Sequence, residues 1–153
     1  RRGVGAAAWR RAARSPPSRA RARRRLYSNQ IGDAGAVAIG NALKVNAVLN
    51  TLNLSENEIG DVGASAIAES LKFNAVLTEL DLGLNQIGDV GATALAEALR
   101  SNTTVTTLDL RGNQIGDVGA AAIAEALKVN AVLTEVRVIP LLPFFVVTLN
   151  LLQ

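Results

Sequence analysis

The stretch Asn85 to Leu99, NQIGDVGATALAEAL, decides the fold because the chain repeats it. NQIGDAGAVAIGNAL begins at Asn29, NEIGDVGASAIAESL at Asn57 and NQIGDVGAAAIAEAL at Asn113, so each copy starts 28 residues after the one before. A period of about 20 to 50 residues marks a solenoid, in which no unit buries enough apolar surface to fold alone and each packs on its neighbours. A function is therefore expected on a surface shared by several units.

Working outward, each copy is preceded by a second pattern. Leu49, Leu52 and Leu54 are followed by Asn57 and Ile59, and the frame returns as Leu77, Leu80, Leu82, Asn85, Ile87 and as Val105, Leu108, Leu110, Asn113, Ile115. Alternation around Thr51 to Leu54 predicts a short strand with Leu52 and Leu54 inward and Thr51, Asn53 and Ser55 outward. In the following half, Ala64, Ile67, Ala68 and Leu71 fall at i, i+3, i+4 and i+7, which predicts a helix with one apolar stripe. Strand and helix alternate once per unit, so the fold class is α/β, a leucine-rich repeat solenoid of about four units.

These LxxLxLxxNxIGDxGAxAIAxAL frames, running from Asn29 to about Val138, resemble ribonuclease-inhibitor-type leucine-rich repeats, above all the 28-residue repeats of NOD-like receptor proteins. The resemblance implies a noncatalytic protein-recognition module, part of a larger cytoplasmic protein. Related repeat proteins also regulate small GTPases, which is a second reading.

The architecture follows from spacing as well. Parallel strands stack at about 4.7 to 4.9 Å, whereas packed helices need about 8 to 10 Å. Joined one to one, the layers are expected to curve into a horseshoe arc with strands on the concave face and helices on the convex face. Alanine-rich helices, such as Ala92, Ala94, Ala96 and Ala98, predict close helix packing.

Four sets of recurring polar residues read as structural. Asn29, Asn57, Asn85 and Asn113 stand where the chain leaves each strand, and their amides are expected to bond adjacent coils as a ladder. Asp33, Asp61, Asp89 and Asp117 precede the helical stripes and are expected to cap their helices. Gly32, Gly60, Gly88 and Gly116 stand beside these caps, where a tight turn calls for φ above zero. Asn46, Asn74, Asn102 and Asn130 follow each helix and read as stop signals.

The outward strand positions differ between units while the leucines stay constant. Thr51, Asn53, Ser55, Glu79, Asp81, Thr107, Asp109, Arg111, Glu135 and Arg137 are therefore the candidate protein-binding residues. Glu79, Asp81, Asp109 and Glu135 are expected to form an acidic stripe beside Arg111 and Arg137, favouring a protein partner with a basic surface.

Composition points away from catalysis. The chain contains no histidine, cysteine or methionine, which removes the usual neutral-pH base, the thiol nucleophile and the common soft metal ligands. No catalytic residue, cofactor or metal site is expected. Charge is divided: residues 1–28 carry ten arginines and no acid, while residues 29–153 carry six basic and thirteen acidic side chains.

Three regions follow: an Arg-rich leader at 1–28, expected to be disordered, the repeats at 29–138, and an irregular hydrophobic tail at 139–153. The leader reads as a fragment or artefact of translation, as an organellar transit peptide, or as a basic arm for nucleic acid or acidic membrane. Arg21 and Arg24 stand where Leu49 and Leu52 stand one period later, which argues against an intact first strand. Cytoplasmic localisation is expected, organellar if the leader is a transit peptide.

Overall fold

The computed structural model describes residues 22–138. Element order is β1 (Ala22–Arg25), α1 (Gly32–Leu43), β2 (Leu49–Asn53), α2 (Asp61–Leu71), β3 (Glu79–Asp81), α3 (Asp89–Ser101), β4 (Thr107–Asp109), α4 (Asp117–Leu127) and β5 (Glu135–Arg137). The five strands form one parallel sheet in chain order. Its register is that of the repeat, with Leu52 against Leu80, Leu80 against Leu108 and Leu108 against Val136. The predicted α/β repeat solenoid is the observed fold.

Between strands and helices lies one apolar core. The inward strand residues Leu52, Leu80 and Leu108 and the helix residues Ile67 and Leu95 are buried together. Fully burying such a side chain contributes about 1.5 to 3 kcal/mol, and the contribution repeats with every unit. Among the described residues no helix is long and apolar enough to cross a membrane.

Strand β1 corrects the expectation of a disordered segment up to residue 28. Arg23, Arg24 and Arg25 pair with Thr51, Leu52 and Asn53. The reason is that pairing is made by backbone groups, and β2 offers a free edge whatever side chains arrive. Leu26 then packs against the core, as Leu54 does one period later. The stack thus begins by Ala22; the rest of the expected leader, and the tail from residue 139, lie outside the described residues.

The glycine reading also needs correction. Gly32 has φ +57°, but Gly60, Gly88 and Gly116 have φ of −96°, −98° and −93°, open to any L-residue. What they provide is room: a Cβ on Gly60 would stand 3.2 Å from Asp33 Oδ2, and one on Gly88 3.2 Å from Asp61 Oδ2. Positive φ recurs instead at Ser28, Glu56, Leu84 and Gly112, one period apart and each just before a ladder asparagine, and occurs once more at Glu58.

Leu84 is the costly member of that set, an exposed leucine at φ +53°. An L-residue in this region is strained by about 1 to 2 kcal/mol, partly offset in a Leu84→Gly variant by the entropy of the unfolded glycine. The variant is expected to gain roughly 0.5 to 1 kcal/mol, seen as a higher urea midpoint with an unchanged slope. A lower midpoint would show that the Leu84 side chain stabilises more than its backbone costs.

Candidate protein-interaction face

The outward side chains of all five strands share one groove of about 420 Å³, reached by Arg25, Asn53, Asp81, Asp109 and Arg137. A smaller hollow of about 320 Å³ adjoins it, lined by Ser55, Gly83, Leu84 and Arg111. The groove touches every described strand.

Because strands stack in register, side chains 28 residues apart become lateral neighbours. Thr51 Oγ1 donates to Glu79 Oε2 at 3.2 Å and Asn53 Nδ2 to Asp81 Oδ2 at 2.8 Å. Arg111 grips Asp109 with Nε to Oδ1 at 3.0 Å and Nη2 to Oδ2 at 2.6 Å. Arg137 reaches Asp109 Oδ2 at 3.4 Å and pairs with Glu135. Thr107 lines the groove beside them.

The acidic stripe was expected beside Arg111 and Arg137, and two of its members are ion-paired with those arginines. Asp109 is buried and paired with both arginines, and Glu135 is paired with Arg137. Outward direction is legible in a strand pattern, but lateral pairing between units is not. Asn53, Asp81 and Asp109 also have a local role: each accepts from the backbone N–H two residues on, at Ser55, Gly83 and Arg111, closing the turn after its strand.

Asp81 differs electrostatically from Asp109. Burial pushes the Asp81 carboxyl up, and the Asp109 charge adds to the effect, against the Gly83 N–H and the more distant arginines. Burial also works against the Asp109 charge, but the Arg111 side chain and N–H together with Arg137 outweigh it and hold its carboxyl below the ordinary range. A depressed carboxyl contributes stability that is present above the unfolded pKa and lost as pH falls through the folded one. Asp109→Asn is thus expected to destabilise at neutral pH and to flatten the loss of stability below about pH 4. Parallel urea midpoints for both proteins at every pH would refute the pairing.

The asparagine ladder is made as placed. Asn57 and Asn85 are buried, and Asn85 Nδ2 donates to the carbonyls of Leu54 and Leu82 at 3.0 Å and of Gly83 at 3.1 Å. Its Oδ1 accepts from Asn57 N and Ile59 N, both at 3.0 Å. Asn113 Nδ2 bonds Leu82 O and Leu110 O, and at the exposed end Asn29 bonds its own turn.

A second ladder went unread. Asn74, Asn102 and Asn130, assigned as helix stops, are buried and donate back to Leu43 O, Leu71 O and Leu99 O of the preceding unit. Each Oδ1 accepts from two N–H groups in the segment leading to the next strand, as Asn74 does from Val76 and Leu77. The signal was present in the same period, but burial was not.

The aspartate caps hold a correction too. No helix is capped by its own aspartate. Asp33 Oδ1 accepts from Gly60 N and Gly63 N of the next unit, Asp61 from Gly88 N and Gly91 N, and Asp89 from Gly116 N and Gly119 N, all at 2.8 Å. Each carboxylate meets free N–H groups at a helix start, but across the interface between units. Asp117, in the last described helix, has no such partner among the described residues.

Stacked in-register strands with an outward groove and helices behind define a repeat solenoid that presents the side chains of several units on one face. Residues 25–40, 45–68, 73–96 and 101–124 match the Leucine Rich repeat family model. The chain belongs to the leucine-rich repeat family. A solved structure titled "Leiomodin-1 Actin-Binding Site 2 (ABS2)" is similar at 30% identity and a TM-score of 0.73, over 82% of this chain and 74% of that one. No curated protein matches the chain.

Proposed function

We propose that this chain is a noncatalytic protein-recognition module whose sheet face takes a basic group of a protein partner at Glu79 and Asp81. The family supports a protein-interaction scaffold. The single observation that carries the finer reading is Asp81, a half-buried carboxylate in the groove whose hydrogen-bond donors, Asn53 Nδ2 and Gly83 N, are both neutral. Its raised pKa marks a charge that its surroundings undercompensate. An incoming arginine or lysine would supply the compensation, whereas at Asp109 two arginines already do.

The 28-residue period supports a place in a larger cytoplasmic protein of the NOD-like receptor kind. GTPase regulation rests on the family resemblance alone, and nucleic-acid binding on the Arg-rich leader alone. The experiment is charge reversal. Glu79→Lys with Asp81→Lys is expected to weaken capture of a basic partner by about tenfold or more, the scale of a lost close charge pair. Actin is the first probe, since the similar solved chain is titled an actin-binding site; undiminished capture of the bound partner by the reversed protein would move the site off this face.

A further inference from the structure

The three central strands repeat one local device, and one copy of it is incomplete. Asn53, Asp81 and Asp109 stand in register on β2, β3 and β4. The residue two further on answers each of them with its backbone N–H and, at Asn53 and Asp109, with its side chain as well. Ser55 Oγ donates to Asn53 Oδ1 at 2.8 Å. Arg111 lays its guanidinium across Asp109, with Nε at 3.0 Å from Oδ1 and 2.9 Å from Oδ2 and Nη2 at 2.6 Å from Oδ2. Beside Asp81 the same place, one period from Ser55 and from Arg111, is held by Gly83, which gives its N–H at 3.0 Å and has no side chain to add. The hollow of about 320 Å³ opens there, lined by Ser55, Asp81, Gly83 and Leu84 together with Asp109 and Arg111.

We propose that this hollow takes the guanidinium of an arginine from the protein partner, laid on Asp81 as Arg111 is laid on Asp109. The inference rests on the reading of Glu79 and Asp81 as the seat of a basic group, and it narrows that group to arginine. A carboxylate offers about four lone-pair positions. At Asp81 one on Oδ1 is taken by Gly83 N and one on Oδ2 by Asn53 Nδ2, so among the described residues a position on each oxygen remains. Two positions side by side suit the parallel N–H groups of a planar fork, whereas a lysine ammonium is a point charge. Leu84, 59% exposed beside the acid, gives the aliphatic stem of an arginine an apolar surface to lie on. Arg111 borders the same hollow, but its charge is held by Asp109.

The probes are N-acetyl-arginine methylamide and N-acetyl-lysine methylamide, titrated into the full chain while the Gly83 N–H and Leu84 methyl resonances are followed. The arginine amide is expected to shift both and to bind about tenfold tighter than the lysine amide, the scale of one extra charge-assisted hydrogen bond. Asp81→Asn is expected to abolish the shifts. Equal affinities would overturn the arginine assignment and leave the basic-group reading standing, whereas no shift with either amide would end both. Gly83→Arg supplies a guanidinium from within the chain. It is expected to bring the Asp81 carboxyl below the ordinary range, as Arg111 does for Asp109, and to block the arginine amide. An Asp81 carboxyl that stays raised in the folded variant would show that the hollow does not fit the group. A Cβ at Gly83 would stand 3.2 Å from Asp81 Oδ1 and 3.3 Å from Arg111 O, so the backbone must yield slightly; if the variant does not fold, titration of the unaltered chain decides.

Discussion

Replacing Asn85 with alanine is expected to lower stability by about 3 to 5 kcal/mol, the largest effect of any single polar substitution in the stack. The amide makes five hydrogen bonds in the interior, three given and two received. Truncation leaves Asn57 N–H and Ile59 N–H buried with no acceptor, at about 1 to 3 kcal/mol each. The carbonyls of Leu54, Leu82 and Gly83 each lose one donor but keep another, from Asn57 Nδ2, Asn113 Nδ2 and Glu56 N. Since small domains are stable by about 5 to 15 kcal/mol in all, urea unfolding should show a variant close to collapse. The exposed ladder end provides the contrast: Asn29→Ala, with its side chain bonded among the described residues to its own turn and its position exposed, is expected to cost under about 1 kcal/mol. Similar losses at both positions would mean that helix and strand packing, and not the ladder, sets the response.

The second large effect is expected at Asp61, and in an unexpected place. Asp61→Ala removes two charge-assisted hydrogen bonds to Gly88 N and Gly91 N, together worth about 2 to 3 kcal/mol. The damage belongs to α3, whose first turn loses its acceptor, while α2, which Asp61 itself begins, keeps its hydrogen bonds. Hydrogen exchange should therefore speed up at Gly88 and Gly91 before it does at Gly60 and Gly63, which Asp33 still holds. Faster exchange confined to α2 would restore the cap to its own helix. Asp117→Ala is the internal control, because its carboxylate has no partner among the described residues, and it should cost far less.

Both effects arise from the same geometry. A 28-residue step places equivalent residues side by side, so a side chain that satisfies the next unit does so at every step, and the unit interface carries the polar bonds as well as the apolar core. That makes the stack cooperative between neighbours. It also explains why glycine stands at 60, 88 and 116 without needing positive φ: the carboxylate of the preceding unit occupies the space of a Cβ.

The period, the strand and helix in each unit and the inward leucines were legible in the chain because they depend on local spacing, on alternation by two and on stripes by three and four. The ladder asparagines were legible for the same reason. Three features were not. Strand β1 forms despite Arg24 because backbone groups, and not side chains, make its pairing. Asn74 and its equivalents looked like helix ends, since nothing local shows that they are buried. Asp109 looked like a surface carboxylate, because its arginine partners include Arg137 from another unit.

By itself the sequence determined that this protein is a leucine-rich repeat solenoid, because periodic apolar burial has one way to close on itself at this spacing. Only the tertiary structure decided which charges remain open to a partner. Asp109 and Glu135 are each paired with the arginine two residues further along the chain, Arg137 adds a lateral contact to Asp109, and the Asp81 carboxylate is left among neutral donors, one of them lateral. The Arg137–Asp109 and Asn53–Asp81 contacts depend on distances between units, and the other pairings on side-chain conformations, neither of which a reading along the chain contains.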